Sequence, residues 1–415
     1  NALEWFDFSV YGYFAGFIAK AFFPAQDEWV STLLAIATFG ISFLVRPIGA
    51  IVLGLYADRR GRRAGLTLAI VLMSAGVLVT AAAPTYAQIG IAAPLLILIA
   101  RLVQGFAVGG EFGAATAFMV EHGRARRGFL ASWQFASQGL AAVAAASFGS
   151  LLSAWLPPAQ LESWGWRVPF AFGLLIAPVG YYIRSRLDET PEFVEAVGAA
   201  EAGRRAAPMG LQWTNLALAI GIVAQSTVGV YVLQLYIPMY AVRQLHLPAA
   251  ASFGAVVING GLQLLLSPVF GAWSDRVGRV RIMLATSALM AASIYPMFAA
   301  LQAHPSVAAL FALQAACGIM KAAYSGPMPA LMAEIFPTRV RSRGLSIGYS
   351  VGVTLFGGFA PTIVETFIHL TGDKLAPSYY VLLAALLSGL CLVAVAHRMR
   401  LAGDVRAGSA AAPSG

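Results

Sequence analysis

Gly54-Leu55-Tyr56-Ala57-Asp58-Arg59-Arg60-Gly61-Arg62 is a loop whose pattern, G-x-x-x-D-R-x-G-R, returns as Gly271-Ala272-Trp273-Ser274-Asp275-Arg276-Val277-Gly278-Arg279. Each copy follows a long apolar stretch. The second copy begins 217 residues after the first (271 − 54 = 217), which is about half of the 415-residue chain. A repeat of this length indicates two copies of one unit. In a membrane protein, such repeats are typical of transporters that alternate access to a central site.

The composition indicates a membrane protein. Hydrophobic residues make up 59% of the chain and charged residues only 11%, whereas soluble domains carry roughly 25% charged residues. The mean hydropathy is +0.75. Cys317 and Cys391 lie in apolar runs without the spacing of a metal site or a disulfide framework, so we interpret them as small core residues. This composition excludes a soluble enzyme.

Apolar segments of about 20 residues, the length of helix that crosses a bilayer, occur twelve times. The first is not a signal peptide, because Glu4 and Asp7 interrupt it and no basic region precedes it. The sequence begins with Asn1 rather than methionine, so we expect further residues before it. The predicted spans, numbered 1 to 12, are residues 2–23, 31–57, 65–83, 91–121, 129–156, 166–186, 213–242, 249–274, 281–302, 306–335, 343–370 and 378–398.

Lys and Arg are distributed unevenly over the loops and predict the orientation. We call the side with the loops after even-numbered spans the basic side, and the other side the opposite side. The positive-inside rule places the basic side, with both termini, in the cytoplasm. The net charge of +9 then reflects topology rather than nucleic-acid binding. The opposite side carries only Lys20, Arg167, Arg243 and Lys374.

The repeat divides the chain into two halves. We predict an N-terminal six-helix bundle over residues 1–186 and a C-terminal six-helix bundle over residues 213–398, joined by a polar cytoplasmic linker, residues 187–212. Residues 399–415 are rich in Gly, Ala and Ser and are predicted to form a cytoplasmic tail. The predicted fold class is an all-α polytopic membrane protein with two pseudo-symmetric six-helix bundles.

Five further stretches carry a resemblance to a known family. They are Asn1–Gly12 (N-A-L-E-W-F-D-F-S-V-Y-G), Phe43–Gly49 (F-L-V-R-P-I-G), Arg101–Gly113 (R-L-V-Q-G-F-A-V-G-G-E-F-G), Trp164–Phe170 (W-G-W-R-V-P-F) and Arg186–Phe193 (R-L-D-E-T-P-E-F). With the repeated loop, they make the chain similar to the metabolite:proton symporters of the major facilitator superfamily over essentially its whole length. The resemblance implies the major facilitator fold and uptake of citrate, another carboxylate, shikimate, or the zwitterions proline and betaine, each with protons.

Two later stretches, Phe356–Pro361 (F-G-G-F-A-P) and Thr371–Tyr380 (T-G-D-K-L-A-P-S-Y-Y), are most similar to the citrate and tricarballylate members. We therefore expect a secondary active transporter in a bacterial inner membrane that imports a di- or tricarboxylate such as citrate by proton symport. A proline/betaine or shikimate-type symporter is the alternative. A passive uniporter and a membrane enzyme are disfavoured, and no H-E-x-x-H, G-x-S-x-G or P-loop motif is present. We expect a monomer with no cofactor or metal, and the proton as coupling ion.

Carboxylates within the spans are candidates for proton coupling, since ionisable groups inside a bilayer are costly and functional by default. Glu4 and Asp7 are three residues apart and share a helical face. Two carboxylates held close together in a low dielectric do not both ionise, so we expect one of them to carry a proton. Glu111 in span 4 is a third candidate. The alternative is that these groups only pair with Arg46 or Arg101.

Arg101 and Lys321 are the predicted substrate ligands. Adding the 217-residue offset to position 101 gives 318, one helical turn from Lys321 in span 10. The resemblance implies that spans 1, 4, 7 and 10 line the central cavity, so cations would face it from both halves. A guanidinium grips a carboxylate through two hydrogen bonds, and two cations favour an anion with at least two carboxylates. The alternative is that Arg101 pairs permanently with Asp7 or Glu111.

Neutral polar groups extend this predicted substrate site. Amides and phenols orient carboxylates and hydroxyls, although hydrogen bonding between helices is an equally good interpretation. These residues are Tyr11, Gln134, Gln138, Asn259, Gln263 and Tyr324.

The resemblance also implies a gating role for the repeated loop. Asp58 is expected to pair across the interface between the halves when the basic side is closed, and Asp275 to act likewise with a smaller effect. Further charges are expected to complete this network: Arg59, Arg62, Arg63 and Glu121.

Overall fold

The computed structural model describes residues 1–60, 62–109, 111–122, 126–185, 213–337 and 341–410. Within these ranges every regular element is a helix. A helix satisfies its own backbone hydrogen bonds, which is what a chain needs in a bilayer core without water. The predicted linker, residues 187–212, and the end of the predicted tail, residues 411–415, lie outside the described residues.

Each predicted span coincides with one helix or with a run of helical segments. Two short helices, Tyr86–Ile89 and Pro158–Ser163, lie between spans. In span order, the bounds are Ala2–Tyr13 and Ala15–Phe22; Glu28–Leu44 and Arg46–Arg60; Arg62–Ala82; Ala92–Val108 and Glu111–His122; Arg127–Trp155; Gly165–Arg167, Val168–Gly173 and Ile176–Ser185; Trp213–Val230, Tyr231–Tyr236 and Ile237–Leu245; Ala249–Val277; Arg279–Ala303; Val307–Ser325 and Met328–Ile335; Arg341–Val353, Thr354–Gly358 and Ala360–Thr371; and Ala376–Ala410.

Helix length and composition identify a membrane protein. In the described part of the chain, eight helices are long and apolar enough to cross a membrane. Three shorter apolar helices, Thr67–Ala82, Ala92–Val108 and Gly165–Gly180, belong to spans 3, 4 and 6. Span 1 is divided at Phe14, so neither of its pieces reaches the spanning length alone. The predicted twelve-helix membrane fold is confirmed.

Two spans of the C-terminal half contain π-helical segments. In span 7 the segment Tyr231–Tyr236 precedes Pro238. In span 11 the segment Thr354–Gly358 ends in two glycines and is followed by Pro361. Proline removes a backbone donor and π-bulges concentrate at functional sites. Discontinuous spans also mark the binding region of transporters. These two segments therefore indicate a functional region in the middle of the bundle.

Glycines let spans 2 and 4 approach each other until their backbones touch. A Cβ atom added at Gly105 would lie 1.9 Å from the Ser42 carbonyl oxygen, and one added at Gly49 would lie 1.9 Å from the Phe106 carbonyl oxygen. Small residues allow this close packing in membranes, where helix association depends on van der Waals contact rather than on the hydrophobic effect. The N-terminal half is therefore tightly packed around span 4.

The two halves meet along spans 5 and 8 and around span 11. Span 11 contacts span 2 through the Thr354 hydroxyl, which donates to the Phe43 carbonyl at 2.8 Å. It contacts span 4 through the Ser350 hydroxyl, which donates to the Gly109 carbonyl at 3.1 Å. Single hydroxyl bonds of this kind contribute about 0.5–1.5 kcal/mol each. These bonds supplement the close packing of spans 5 and 8, where a Cβ atom added at Gly139 would lie 2.7 Å from the Gly260 carbonyl oxygen.

The contact between spans 2 and 4 predicts that Gly105→Val destabilises the protein. The new side chain would collide with the Ser42 carbonyl, and overpacking costs about 1–3 kcal/mol or more. We expect a lower thermal unfolding temperature in detergent. Gly16→Val is the matched control, because a Cβ atom at Gly16 meets no atom within 4 Å. Equal unfolding temperatures for the two variants would contradict this packing.

Candidate transport site

Asp7 and Arg101 form an ion pair inside the N-terminal half. Arg101 Nη1 donates to Asp7 Oδ2 at 3.0 Å, and the two side chains are at most 1% exposed. Gln104, one turn along span 4, donates from Nε2 to the same oxygen at 3.0 Å. Arg101 Nη2 donates to the Thr80 hydroxyl at 3.4 Å. The pair therefore links spans 1, 3 and 4.

This ion pair is incompletely satisfied. Asp7 Oδ1, Arg101 Nε and Gln104 Oε1 are buried without a hydrogen-bond partner. The Arg101 guanidinium lies over the ring of Tyr11 at 4.2 Å, and the Tyr11 hydroxyl donates to the Ala35 carbonyl at 3.3 Å. Each buried group without a partner costs about 1–3 kcal/mol, so a proton or a ligand that completes these bonds would be favoured.

Glu4 and Asp7, which the sequence places on one helical face, engage different arginines. Asp7 contacts Arg101, whereas Glu4 interacts electrostatically with Arg46 of span 2. Both carboxylates are buried. The structure thus provides a separate cation for each carboxylate. That one of them carries the coupling proton stays a prediction.

Lys321 is a buried amine without a counter-charge among the described residues. Its side chain is 2% exposed, and Nζ has no hydrogen-bond partner. The stem lies against span 7, where a Cβ atom added at Gly229 would be 3.8 Å from Lys321 Cδ. An unpaired buried charge is costly, so an anion beside Lys321 would be stabilised.

Asn259 and Gln263 belong to an amide network in the C-terminal half. Gln234 Nε2 donates to Asn259 Oδ1 at 2.8 Å and to Gln263 Oε1 at 2.9 Å. Asn259 Nδ2 donates to Gln314 Oε1 at 2.7 Å. Gln263 Nε2 reaches the other half and donates to the Phe135 carbonyl at 3.0 Å. In this conformation both amides bond to other helices, and their role in substrate binding stays a prediction.

The other predicted polar ligands differ in their remaining bonding capacity. The Tyr324 hydroxyl donates to the Ile222 carbonyl at 2.8 Å. Gln134 is buried, and its backbone carbonyl accepts from Asn1. Gln138 is also buried, and neither its amide oxygen nor its amide nitrogen has a partner. Gln138 therefore keeps both groups available for a ligand.

The prediction that the repeated motif is a loop was wrong for most of its length, because it continues the helices Arg46–Arg60 and Ala249–Val277. Its ion pairs are described for the second copy. There, Asp275 Oδ1 accepts from the Gly128 backbone N–H at 2.8 Å, and Oδ2 accepts from that of Phe129 at 3.2 Å. Arg279 donates to Asp275 and to Glu334, both at 2.8 Å. Asp275 of the C-terminal half thus caps the first turn of span 5 in the N-terminal half. The predicted coupling and gating residues whose side chains lie outside the described residues are Glu111, Asp58, Arg59, Arg62, Arg63 and Glu121.

A second cluster joins the halves on the opposite side. Arg243 Nη2 of span 7 donates to Glu28 Oε1 at 3.1 Å and to the Thr32 hydroxyl at 2.8 Å, both in span 2. Arg243 Nη1 lies 3.8 Å from Glu365 Oε1, and Tyr236 donates to Glu365 Oε2. We call Glu28, Thr32, Arg243 and Glu365 the opposite-side latch. With Asp275 engaged as well, the halves contact each other on both sides of the membrane.

A narrow cavity lies between the latch and the ion pair of Asp7 and Arg101. Trp29 of span 2 and His369 of span 11 also stack across the halves, with ring centroids 3.9 Å apart. The cavity connects span 1 with spans 2, 7 and 11. Its lining residues are Tyr11, Gly12, Ala15, Ile36, Phe39, Leu235, Tyr236, Met239 and Pro361.

Sequence reasoning missed Gln104 and the latch as functional elements. Gln104 could have been identified, because it lies three residues after Arg101 and shares its helical face. Glu365 is recognisable as a charge within span 11, but the pairing of Arg243 with Glu28 is not, since they are 215 residues apart. Only packing of the two halves brings them together.

Two family models match the chain. The model described as sugar (and other) transporter matches residues 1–220, and that of the Major Facilitator Superfamily matches residues 255–413. A citrate-proton symporter of Klebsiella pneumoniae is 38% identical over 93% of this chain and 87% of its own length. An alpha-ketoglutarate permease of Escherichia coli is 34% identical over 94% and 89%. A proline/betaine transporter of Salmonella typhimurium is 33% identical over 96% and 82%.

Solved structures support the same fold. The proton:xylose symporter XylE, bound to 6-bromo-6-deoxy-D-glucose, superposes with a TM-score of 0.74 over 94% of this chain and 92% of that chain, at 17% identity. A partially occluded inward-open conformation of the Escherichia coli xylose transporter XylE gives a TM-score of 0.73. At this identity the likeness concerns the fold alone.

The contacts of Asp275 predict that Asp275→Ala weakens closure of the basic side. Loss of a helix cap costs about 0.5–2 kcal/mol, and here the cap also joins the halves. We expect slower transport and a longer spin-label distance between labels at Arg126 and Val277. Ser306→Ala is the matched control, because Ser306 caps span 10 within one half. An unchanged distance in Asp275→Ala would contradict the role of this cap in closure.

The latch predicts that Arg243→Ala opens the opposite side. Exposed ion pairs contribute only about 0–1 kcal/mol, so we expect a shift in population rather than unfolding. In a background without Cys317 and Cys391, a Met239→Cys probe in the cavity should react several-fold faster with a membrane-impermeant thiol reagent when Arg243→Ala is added. Lys20→Ala is the control, since Lys20 pairs with Glu162 on the same side but within one half. Equal labelling rates would remove the latch from gating.

Proposed function

We propose that this chain imports a small organic carboxylate together with protons. It belongs to the major facilitator superfamily and to its metabolite:proton symporter branch. A di- or tricarboxylate such as citrate is the proposed substrate, in line with the citrate-proton symporter that is 38% identical to the chain. The observation that carries the proposal is the buried ion pair of Asp7 and Arg101. One oxygen of Asp7 and one nitrogen of Arg101 have no hydrogen-bond partner.

Coupling follows from the charge balance of this pair. Protonation of Asp7 removes the negative charge that compensates Arg101, and an uncompensated buried guanidinium is strongly unfavourable. A substrate carboxylate at Arg101 restores the balance. Proton and substrate are therefore expected to bind together, and each raises the affinity for the other by the same factor. In this scheme Arg101 is both the partner of Asp7 and a substrate ligand.

The number of buried cations supports a polycarboxylate. Arg46, Arg101 and Lys321 are each at most 2% exposed. Arg46 lies near Tyr231, and the stem of Lys321 lies against Gly229, two residues earlier in span 7. Basic groups from both halves near one stretch of span 7 suit an anion with several carboxylates, each held by a charge-assisted bond.

A zwitterion is the second candidate, since a proline/betaine transporter is 33% identical to the chain. A quaternary ammonium is recognised by an aromatic cage. In the centre of this protein the rings of Trp5, Phe8 and Phe43 surround the Arg46 guanidinium instead. This arrangement favours the carboxylate over betaine.

Alternating access would use the two groups of contacts between the halves. The latch of Arg243 and the cap of Asp275 would be released in turn, each exposing the centre to one side. We further propose that the protein acts as a monomer, that both termini are cytoplasmic, and that the proton is its only coupling ion. The excess of arginine on the basic side supports this orientation.

We predict that Asp7→Asn abolishes proton-driven accumulation of citrate in proteoliposomes while counterflow exchange persists. The amide keeps the shape of the carboxyl but binds no proton. Asp27→Asn is the matched control, because Asp27 caps span 2 by accepting from the Trp29 N–H, and Asn caps equally well. Full accumulation by Asp7→Asn, or wild-type uptake that persists in the presence of an uncoupler, would overturn the proposed coupling.

A further inference from the structure

Arg46 lies in the middle of span 2, between the two halves. Its guanidinium carbon is 3.9 Å from the ring centroid of Phe43 and 4.6 Å from that of Phe8. Tyr231 of the C-terminal half packs against the same rings, with its centroid 5.3 Å from that of Phe43. The charged group that acts on Arg46 is the buried carboxylate of Glu4 in span 1. Both halves therefore build the surroundings of this one cation.

The groups around Arg46 have unused hydrogen-bonding capacity. Arg46 Nε and Nη2 and the Tyr231 hydroxyl are buried without a partner. Gln138 lies within reach of the Tyr349 hydroxyl, and its amide makes no further hydrogen bond. The guanidinium nitrogens are donors only, while the hydroxyl and the amide each supply a donor as well. Arg46 thus has two donor nitrogens without an acceptor in a dry interface, and such donors are complementary to an anion.

The aromatic rings explain why a carboxylate suits this place. Rings above the guanidinium plane hold it by cation–π contact and leave its edge available. The edge is where two parallel N–H groups bind both oxygens of a carboxylate. Exclusion of water by the rings strengthens each of these bonds. A quaternary ammonium offers no acceptor to these N–H donors, and its positive charge would be repelled by Arg46.

We propose that Arg46, with Tyr231 and Gln138, binds one carboxylate of the substrate at the interface between the halves. This inference rests on the proposed function and adds a carboxylate position separate from Arg101. A ligand held there touches both halves at once, through Arg46 and Gln138 of one and Tyr231 of the other. Its binding therefore favours the conformation in which the halves are closed around it.

The test compares two acids that differ by one carboxylate, tricarballylate and glutarate, in binding to the purified full-length protein by calorimetry. Arg46→Gln is expected to raise the Kd of tricarballylate about 30-fold or more, the lower end of the cost of truncating one partner of a desolvated charge pair. The ratio of the Kd of glutarate to that of tricarballylate should fall toward one, because the third carboxylate no longer has its cation.

A merely structural Arg46 would change both Kd values by the same factor and leave their ratio at the wild-type value, which overturns the site. Arg167→Gln is the matched control, since Arg167 also lies over a ring, that of Trp166 at 4.4 Å, but at the edge of span 6. It should leave both the Kd values and their ratio unchanged.

Tyr231→Phe keeps the test decisive should Arg46→Gln fail to fold. It removes only a hydroxyl that has no partner, so folding is preserved, and the Kd of tricarballylate should rise about fivefold, the equivalent of one hydrogen bond. An unchanged Kd in Tyr231→Phe counts against the site. Wild-type protein that binds neither acid would overturn the proposed function and this site with it, whereas wild-type binding with unaltered variants overturns the site alone.

Discussion

Placing a charge inside a bilayer is so unfavourable that the charges which remain there organise the structure around them. Asp7 and Arg101 contact each other through spans 1 and 4, and Gln104 and Thr80 complete the contact. Neither charge is stable at that depth without the other. Spans 1, 3 and 4 are therefore held in a fixed relation. A proton on Asp7 would neutralise the carboxylate and leave Arg101 without a counter-charge, so this pair is the proposed site of proton coupling.

The two halves treat their buried cations differently. In the N-terminal half, Arg101 has a carboxylate partner and Arg46 interacts with Glu4. In the described part of the C-terminal half, Lys321 has none. The amides of span 8 bond to spans 7 and 10 and to a carbonyl of span 5. The sequence repeat thus reproduces the helical fold in both halves but not the pattern of buried charged groups. In the proposed cycle, Asp7 of the N-terminal half carries the coupling proton, and Lys321 of the C-terminal half adds a position at which an anion is stabilised.

Motion between the halves depends on contacts that are individually weak. Within the N-terminal half, glycines bring the backbones of spans 2 and 4 together, and a side chain there would collide with a carbonyl. Between the halves, glycines also bring spans 5 and 8 close together, and the polar contacts at the two ends include a helix cap at Asp275 and a partly exposed arginine, Arg243. Contacts worth about 1 kcal/mol each can be exchanged at modest cost. Rigid halves joined by exchangeable contacts are what alternating access requires.

The sequence by itself determined the twelve spans and the membrane setting, because hydropathy and loop composition are local properties that a bilayer enforces. It also identified Asp7, Arg101 and Lys321, since a charge in an apolar run is visible without any knowledge of its neighbours. Which partner each charge meets was decided only by tertiary structure. Arg46 lies among rings from spans 1, 2 and 7, and Arg243 meets a glutamate 215 residues away. Such contacts depend on how helices far apart in sequence rotate and pack, and helical periodicity carries no information about that.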